Sequence, residues 1–121
     1  MEAGVTFRRG DYSPLVLAYL GDSFFETLAR EYLVGDGNCK PSELNDRARE
    51  IVTAHSQSVM VERLLPLLTE EELAIYKSGR NSKSASAVEY RRATGLECLY
   101  GYFWLSAQHD RARDLFLQCV E

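Results

Sequence analysis

The sequence has few of the residues from which disulfide frameworks, zinc sites or catalytic triads are built. Its 121 residues include only three cysteines and two histidines. Cys39, Cys98 and Cys119 are odd in number and form no CxxC pair, so the sequence predicts neither a structural zinc site nor a disulfide framework. His55 and His109 lack HExxH or comparable spacing, and we expect each at a helix start or on the surface.

Long hydrophobic runs and an excess of positive charge are also missing. No apolar run reaches the ~18 residues that suggest a membrane span, and the opening stretch MEAGVTFRRGDYS lacks a hydrophobic signal core. We therefore expect a cytoplasmic protein without a membrane partner. The net charge of −4 argues against indiscriminate binding of polyanions, although a local basic patch can bind nucleic acid within an acidic chain.

What the chain does contain is a sufficient core and many helix signals. Hydrophobic residues make up 45% of it, and at this length we expect one domain over residues 1–121. Ser13 and Pro14 predict the N-cap and first turn of a long helix that ends near Leu33. Further helices are predicted in KPSELNDRAREIV, from about Ala54 to Leu65, in TEEELAIYKSGR, from about Val88 to Leu105, and from His109 to Val120.

The fourth of these helices carries boundary signals at both ends. Thr69 is its predicted N-cap, and Glu72 three residues later completes a capping box. Gly79 is a plausible residue just past its end. The polar, serine-rich tract RNSKSASA then predicts a loop. Because strand alternation is nearly absent, we expect a compact all-α bundle of six to seven helices.

Acidic residues interrupt the apolar pattern of both long helices. Asp22 and Glu26 lie four apart in LAYLGDSFFETLARE and so share one helical face. Glu97 lies in the apolar segment GLECLYGYFW of the other long helix. A carboxylate is costly to bury unless something binds it. Gly21 and Gly101 neighbour these acids, as expected where helices pack closely.

Two readings of these acids remain open from the residues alone. A hard divalent cation between them would explain both, since Mg²⁺ prefers oxygen ligands and keeps several waters. Alternatively, Asp22 pairs with an arginine, and Glu97 reaches Arg91 or Arg92 in a structural salt bridge.

Three motifs, in order, resemble those of the ribonuclease III catalytic domain. LAYLGDSFFE resembles the signature helix that carries the metal-binding Asp, and TGLECLYGYFWL resembles the second acidic helix. The tract KSGRNSKS, with the short chain, resembles the Mini-III branch, which consists of the catalytic domain without an appended double-stranded-RNA-binding domain. The resemblance runs from about Tyr12 to Leu117 and implies a homodimeric domain with the ribonuclease III endonuclease fold.

The resemblance also implies roles for particular residues. Asp22 and Glu97 match the catalytic, metal-binding acids of the family. Two further acids of ribonuclease III are replaced here by Leu15 and Thr94, which leaves fewer protein ligands. Waters, Thr94 or Glu26 are therefore expected to complete the metal shell, and Glu26 is expected to be a supporting rather than a catalytic residue.

The implied activity is Mg²⁺-dependent endonucleolytic cleavage of double-stranded RNA that leaves 5′-phosphate ends. In the Mini-III branch the implied substrate is the precursor of large-subunit ribosomal RNA, cut during ribosome biogenesis. Residues 79–92 include four cationic residues and one acid, and from this tract the expected RNA contacts are Arg80, Asn81, Lys83, Ser84 and Arg91.

Two questions are left open by the resemblance. Tyr19, Phe24 and Phe25 could face the second subunit of a homodimer or fill the core of one chain. A non-catalytic ribonuclease III-like RNA-binding or scaffold protein in ribosome assembly is the alternative function, although it would gain nothing from keeping two costly acids. A helical interaction domain without an RNA role would leave the acids and the GRNSKS tract unexplained.

Overall fold

The protein is described by a computed structural model that covers residues 8–35, 37, 40–83 and 86–120. Within these ranges the chain forms helices and no strand, which confirms the all-α expectation. The helices are α1 (Pro14–Val34), α2 (Pro41–Val52), α3 (Ala54–Leu64), α4 (Glu70–Asn81), α5 (Val88–Leu105) and α6 (His109–Val120). Short 3₁₀ turns lie at Arg9–Asp11 and Leu65–Leu67. In the part that is described, no helix is both long and apolar enough to cross a bilayer.

The helix starts follow the local signals in the sequence. The Ser13 side chain accepts a hydrogen bond of 3.1 Å from the backbone N–H of Val16, and Pro14 occupies the first turn of α1. At α4, Thr69 Oγ1 accepts from the backbone of Glu72 at 3.2 Å, while the Glu72 carboxylate accepts from the backbone of Thr69 at 2.9 Å. These bonds satisfy donors that a helix N-terminus leaves free, and they confirm both predicted caps.

The prediction that Gly79 follows the end of α4 is wrong. The helix continues to Asn81, and Gly79 is buried inside it. A Cβ at this position would lie 2.5 Å from the Cβ of Cys98 and 3.1 Å from the Cα of Gly95. The glycine therefore serves close packing of α4 on α5 rather than termination. As a consequence Arg80 and Asn81 lie in the last turn of a helix and not in the predicted loop.

α1 and α5 form the central pair, and their backbones touch. A Cβ at Gly21 would lie 1.6 Å from the carbonyl oxygen of Glu97, and a Cβ at Gly101 would lie 1.9 Å from that of Leu17. α3 and α4 pack on α5, and α2 packs on α1. The two glycines thus allow α1 and α5 to cross at a distance that no larger residue permits.

The aromatic residues of the first motif do not all lie on the surface. Phe24 and Phe25 are buried, and Phe25 makes edge-to-face contacts with Tyr100 and Phe116 at centroid distances of 5.5 and 5.4 Å. Tyr19, by contrast, is 85% exposed. Core packing is therefore the correct interpretation for the two phenylalanines. Of these three aromatic residues, Tyr19 is the one that is exposed for contact with another molecule.

The histidines lie at helix starts on the surface, as predicted, and two of the three cysteines are described. Cys98 and Cys119 are buried free thiols, and Cys39 is outside the described residues. His109 is exposed at the first position of α6, and His55 is exposed near the start of α3.

Candidate active site

The crossing of α1 and α5 brings Asp22 and Glu97 together. Asp22 directly follows Gly21, the residue whose Cα packs on the backbone of Glu97. The two carboxyl groups are close enough for a hydrogen bond, and the charge of Asp22 acts on Glu97 as well. Acids 75 positions apart in sequence therefore share one site, as the metal hypothesis requires.

The expectation that both acids sit in a buried stripe is only half correct. Glu97 is half-buried, but Asp22 is exposed. The buried residues of α1 include Leu17, Gly21 and Phe24, and Asp22 lies beside this stripe rather than in it, because each residue turns the helix by about 100°. The site is therefore open to solvent on the α1 side and closed on the α5 side.

Burial raises the pKa of Glu97, and the charge of Asp22 and a hydrogen bond to Asp22 raise it further, to about 8. A hydrogen bond from the side chain of Gln57 acts in the opposite direction. Without a bound cation, Glu97 therefore holds a proton at neutral pH.

The salt-bridge reading of Glu97 is wrong. Arg92 pairs with Glu62 of α3 at 3.1 Å, and neither Arg91 nor Arg92 is among the groups that shift the pKa of Glu97. No cation of the described chain neutralises the two acids. The hypothesis of a divalent cation between the two acids is not contradicted, and it stays a prediction.

Gln57 is the site residue that sequence reasoning missed. It lies in the first turn of α3 and is only 3% exposed. A signal was present, because Gln57, Met60, Val61 and Leu64 follow the i, i+3, i+4, i+7 spacing of one helical face, and all four are buried. A lone amide on such a face needs a polar partner, but the sequence alone does not say which.

The two supporting residues are engaged elsewhere. Glu26 forms an ion pair with Arg30 one turn further along α1, and the Thr94 hydroxyl donates to the carbonyl oxygen of Tyr90 at 2.8 Å. No group of three or more Asp, Glu, His or Cys side chains suited to a metal occurs in the described ranges. Of the predicted site acids, the crossing of α1 and α5 therefore brings together Asp22 and Glu97.

A shallow groove of about 590 Å³ runs along the exposed side of α1 beside these acids. Its lining residues are Tyr19, Leu20, Asp22, Ser23, Glu26, Thr27 and Arg30. Two carboxylates without a protein cation, one of them open to this groove, fit a hard divalent ion that keeps several water ligands. They do not fit a soft metal, since no thiolate or imidazole accompanies them.

A second depression collects most of the predicted RNA-binding residues. It has a volume of about 280 Å³ and is lined by Arg80, Asn81, Val88, Arg91 and Arg92. The Arg91 Nε atom is buried without a hydrogen-bond partner, and Arg80 Nε donates to Asn81 Oδ1 at 3.2 Å. This cationic depression, formed by the end of α4 and the start of α5, can accept an anionic group.

Two further predicted RNA contacts lie outside the depression. Lys83 is exposed just beyond the end of α4. Ser84 falls outside the described residues, so its part stays a prediction.

Comparison with known proteins identifies the class. Residues 15–108 match the family model of the Ribonuclease III domain. The chain therefore belongs to the ribonuclease III family, whose members are endoribonucleases.

Individual relatives narrow the branch. The chain is 39% identical to the Mini-ribonuclease 3 of Brevibacillus brevis over 112 residues, which cover 88% of this chain and 84% of the relative. It is 41% identical to the Mini-ribonuclease 3 of Enterococcus faecalis over 115 residues, which cover 88% of this chain and 87% of that relative. A crystal structure of a Fusobacterium nucleatum protein superposes with a TM-score of 0.79 at 32% identity, covering 91% of this chain and 93% of that one. The resemblance to the Mini-III branch is confirmed.

Proposed function

We propose that this endoribonuclease cleaves double-stranded RNA with Mg²⁺ held between Asp22 and Glu97, and that it leaves 5′-phosphate ends. The observation that carries the proposal is the meeting of these two acids at the crossing of α1 and α5, with no protein cation beside them. Keeping two adjacent acids in a partly buried site is costly, and a divalent ion offsets that cost.

The chain's own residues have distinct parts in this proposal. Asp22 presents its exposed carboxylate to the groove on α1, and Glu97 contributes from the buried side. When bound, Mg²⁺ supplies a water of lowered pKa and stabilises charge on the phosphoryl oxygens. Because Glu97 must lose its proton to act as a ligand, metal affinity rises with pH up to about 8.

RNA would be held at the cationic depression. Arg80, Asn81 and Arg91 line it, and Lys83 lies beyond the helix end; Ser84 is expected to add a hydrogen bond. Guanidinium groups bind phosphate oxygens, and the A-form helix is recognised by its shape, its phosphates and its 2′-hydroxyls. Binding should therefore depend little on sequence and fall with rising salt.

The proposal includes a homodimer in the cytoplasm that matures the precursor of large-subunit ribosomal RNA. Cutting both strands of a duplex calls for two sites of opposed polarity, which a two-fold dimer supplies. Support comes from α1, where Tyr19 is 85% exposed and Leu15 and Val16 are 45% and 54% exposed. These side chains lie near Asp22 on the face of α1 that the described residues leave exposed.

The test is cleavage of long double-stranded RNA in Mg²⁺ or in chelator by the wild-type protein and by Asp22→Asn and Glu97→Gln. Both substitutions preserve shape, and each removes a charge that would bind the metal. We expect metal-dependent cutting that falls by at least about 100-fold in each variant, while RNA binding persists.

A matched control is Glu31→Gln, which changes an exposed glutamate on α1 that pairs with Arg113 at 2.9 Å. It should cut as well as the wild type. Wild-type protein that binds the duplex without cutting it in Mg²⁺ would contradict the proposal and favour the scaffold alternative.

A further inference from the structure

We propose that Gln57 is a positioning residue of this site, whose amide holds the Glu97 carboxylate where it can bind a divalent cation together with Asp22. The inference rests on the proposed function, which it deepens by adding a third helix to the site. It assigns a role to a residue that neither the motifs nor the pair of acids explains.

The first support is the burial of Gln57 and its contact. The side chain is 3% exposed, and it lies near enough to Glu97 to lower the pKa of that carboxyl group as a hydrogen-bond partner. A partner that lowers the pKa favours the ionised carboxylate, to which the amide N–H of Gln57 would donate. A buried amide otherwise surrounded by Met60, Val61 and Leu64 on its helical face would cost stability without such a partner.

The second support is the way α3 is fixed against α5. His55 Nδ1 lies 3.3 Å from Glu89 Oε1 on one side of Gln57, and Arg92 Nη1 lies 3.1 Å from Glu62 Oε1 on the other. Polar contacts between the two helices therefore flank Gln57 in sequence. α3 also packs on α5, so these contacts belong to an interface that places the backbone of Gln57 beside the helix that carries Glu97.

The third support is the difference between the two acids. Asp22 is exposed on α1, whereas Glu97 is half-buried and reaches the site from α5. Glu97 has two carboxylate oxygens, so it can accept from Gln57 and still offer an oxygen to a metal. Hydrogen-bond partners of this kind orient ligands, and their loss typically costs 10–100-fold in metal affinity.

The experiment compares Gln57→Met with Met60→Leu in binding of Mn²⁺ to the metal-free protein, followed by calorimetry. Gln57→Met keeps the size and removes the donor. Met60→Leu alters a buried residue one turn later on the same helix, neither side chain has a hydrogen-bond donor to offer the acids, and volume-conserving changes of this kind are well tolerated. We expect the Kd for Mn²⁺ to rise about 10–100-fold in Gln57→Met and to stay within about threefold in Met60→Leu.

Two further measurements separate positioning from general damage. In Gln57→Met the Mg²⁺ concentration for half-maximal cleavage should rise by the same factor, while metal-free binding of double-stranded RNA and the unfolding midpoint match those of Met60→Leu. If Gln57→Met does not fold, Gln57→Asn, which keeps the amide but shortens the side chain, should weaken Mn²⁺ binding in the same direction.

Crystals of the metal-free Gln57→Met variant or, if that variant does not fold, of Gln57→Asn test the inference even if the proposed function fails. We expect the Glu97 carboxylate to leave Asp22. A Glu97 that keeps its place, an unchanged Mn²⁺ affinity, or an equal loss of RNA binding and stability would each overturn the role of Gln57. Wild-type protein that cuts no double-stranded RNA in Mg²⁺ would instead overturn the proposed function.

Discussion

Two glutamates in neighbouring helices, Glu72 in α4 and Glu97 in α5, are both removed from water, but their partners shift their pKa values in opposite directions. Burial raises the pKa of Glu72, but hydrogen bonds from Arg111 and the Thr69 backbone, with the charge of Arg111, bring it below its ordinary value. Arg111 contacts both carboxylate oxygens, at 2.9 and 3.0 Å. Burial also raises the pKa of Glu97, and there its acidic neighbour Asp22 raises it further, to about 8.

The difference separates an acid that serves the fold from the acid to which we assign a ligand. Glu72 caps a helix and pairs with Arg111, so its charge is used within the chain. The groups that shift the pKa of Glu97 are another acid and an amide, and a bound cation would supply the positive charge that these do not. Perturbed acids in this second arrangement are typical of functional sites.

The largest effect should come from Gly21→Ala, which separates the helices that create the Glu97 environment. The new Cβ would lie 1.6 Å from the carbonyl oxygen of Glu97, and backbone at that distance must move. We expect a loss of about 3 kcal/mol or more in the free energy of unfolding, at or above the upper end for overpacked cores, measured by urea denaturation.

Gly10→Ala is the control for this prediction, since nothing lies within 4 Å of a Cβ at Gly10. It should change stability by no more than about 0.5 kcal/mol. Equal effects of the two substitutions would show that the helix crossing is not as close as described.

Arg111→Met should have the next largest effect, because it leaves Glu72 without its cation. Glu72 is 5% exposed, and removing one partner of a buried pair costs about 3 kcal/mol. The loss of stability should be full at pH 7. It should shrink as the pH falls below the ordinary pKa of Glu72, because protonation then removes the uncompensated charge.

Arg113→Met provides the matched control two residues away on the same helix. Arg113 pairs with Glu31 at 2.9 Å, but the pair is exposed, and such pairs contribute ~1 kcal/mol or less. A loss from Arg111→Met no larger than that from Arg113→Met would mean that Glu72 is not a buried, paired acid.

The sharpest contrast between the two glutamates is the pH dependence of Glu97→Gln without metal. Glu97 has an ordinary pKa of 4.5, and in the folded protein the pKa is about 8. Between these two pH values folded Glu97 holds a proton that the unfolded chain has released, so the free energy of unfolding falls as the pH rises. The variant should therefore gain stability relative to the wild type between pH 5 and pH 8. Glu72→Gln should show the opposite sign in a lower range: as the pH rises towards 4.5, it should lose stability relative to the wild type, because the pKa of folded Glu72 lies below that value. A Glu97→Gln difference that is independent of pH between 5 and 8 would contradict the raised pKa.

Local signals in the sequence predicted more of the fold than of the site. Ser13 with Pro14 and the Thr69 capping box act within one helical turn, so their effect can be read from neighbouring residues. Gly79 could not be read in the same way. Its role depends on Cys98 and Gly95, which approach only when α4 packs on α5.

The site shows the same limit. Asp22 and Glu97 were found because acids stand out in apolar helices and because their motifs resemble those of a known family. Gln57 was missed because its polar partner lies 40 residues away, and Asp22 was expected to be buried because the pattern of α1 does not resolve the edge of a helical face. Contacts between helices decide both the partner of Gln57 and the exposure of Asp22. Such contacts cannot be predicted from the spacing of residues within one helix.

The most direct test of the account is anomalous diffraction from crystals soaked in Mn²⁺, compared with crystals of Asp22→Asn soaked in the same way. The account predicts an anomalous peak within bonding distance of carboxylate oxygens of both Asp22 and Glu97, and its loss in the variant. Wild-type crystals with no peak between the two acids, or with Mn²⁺ bound at another site alone, would contradict it.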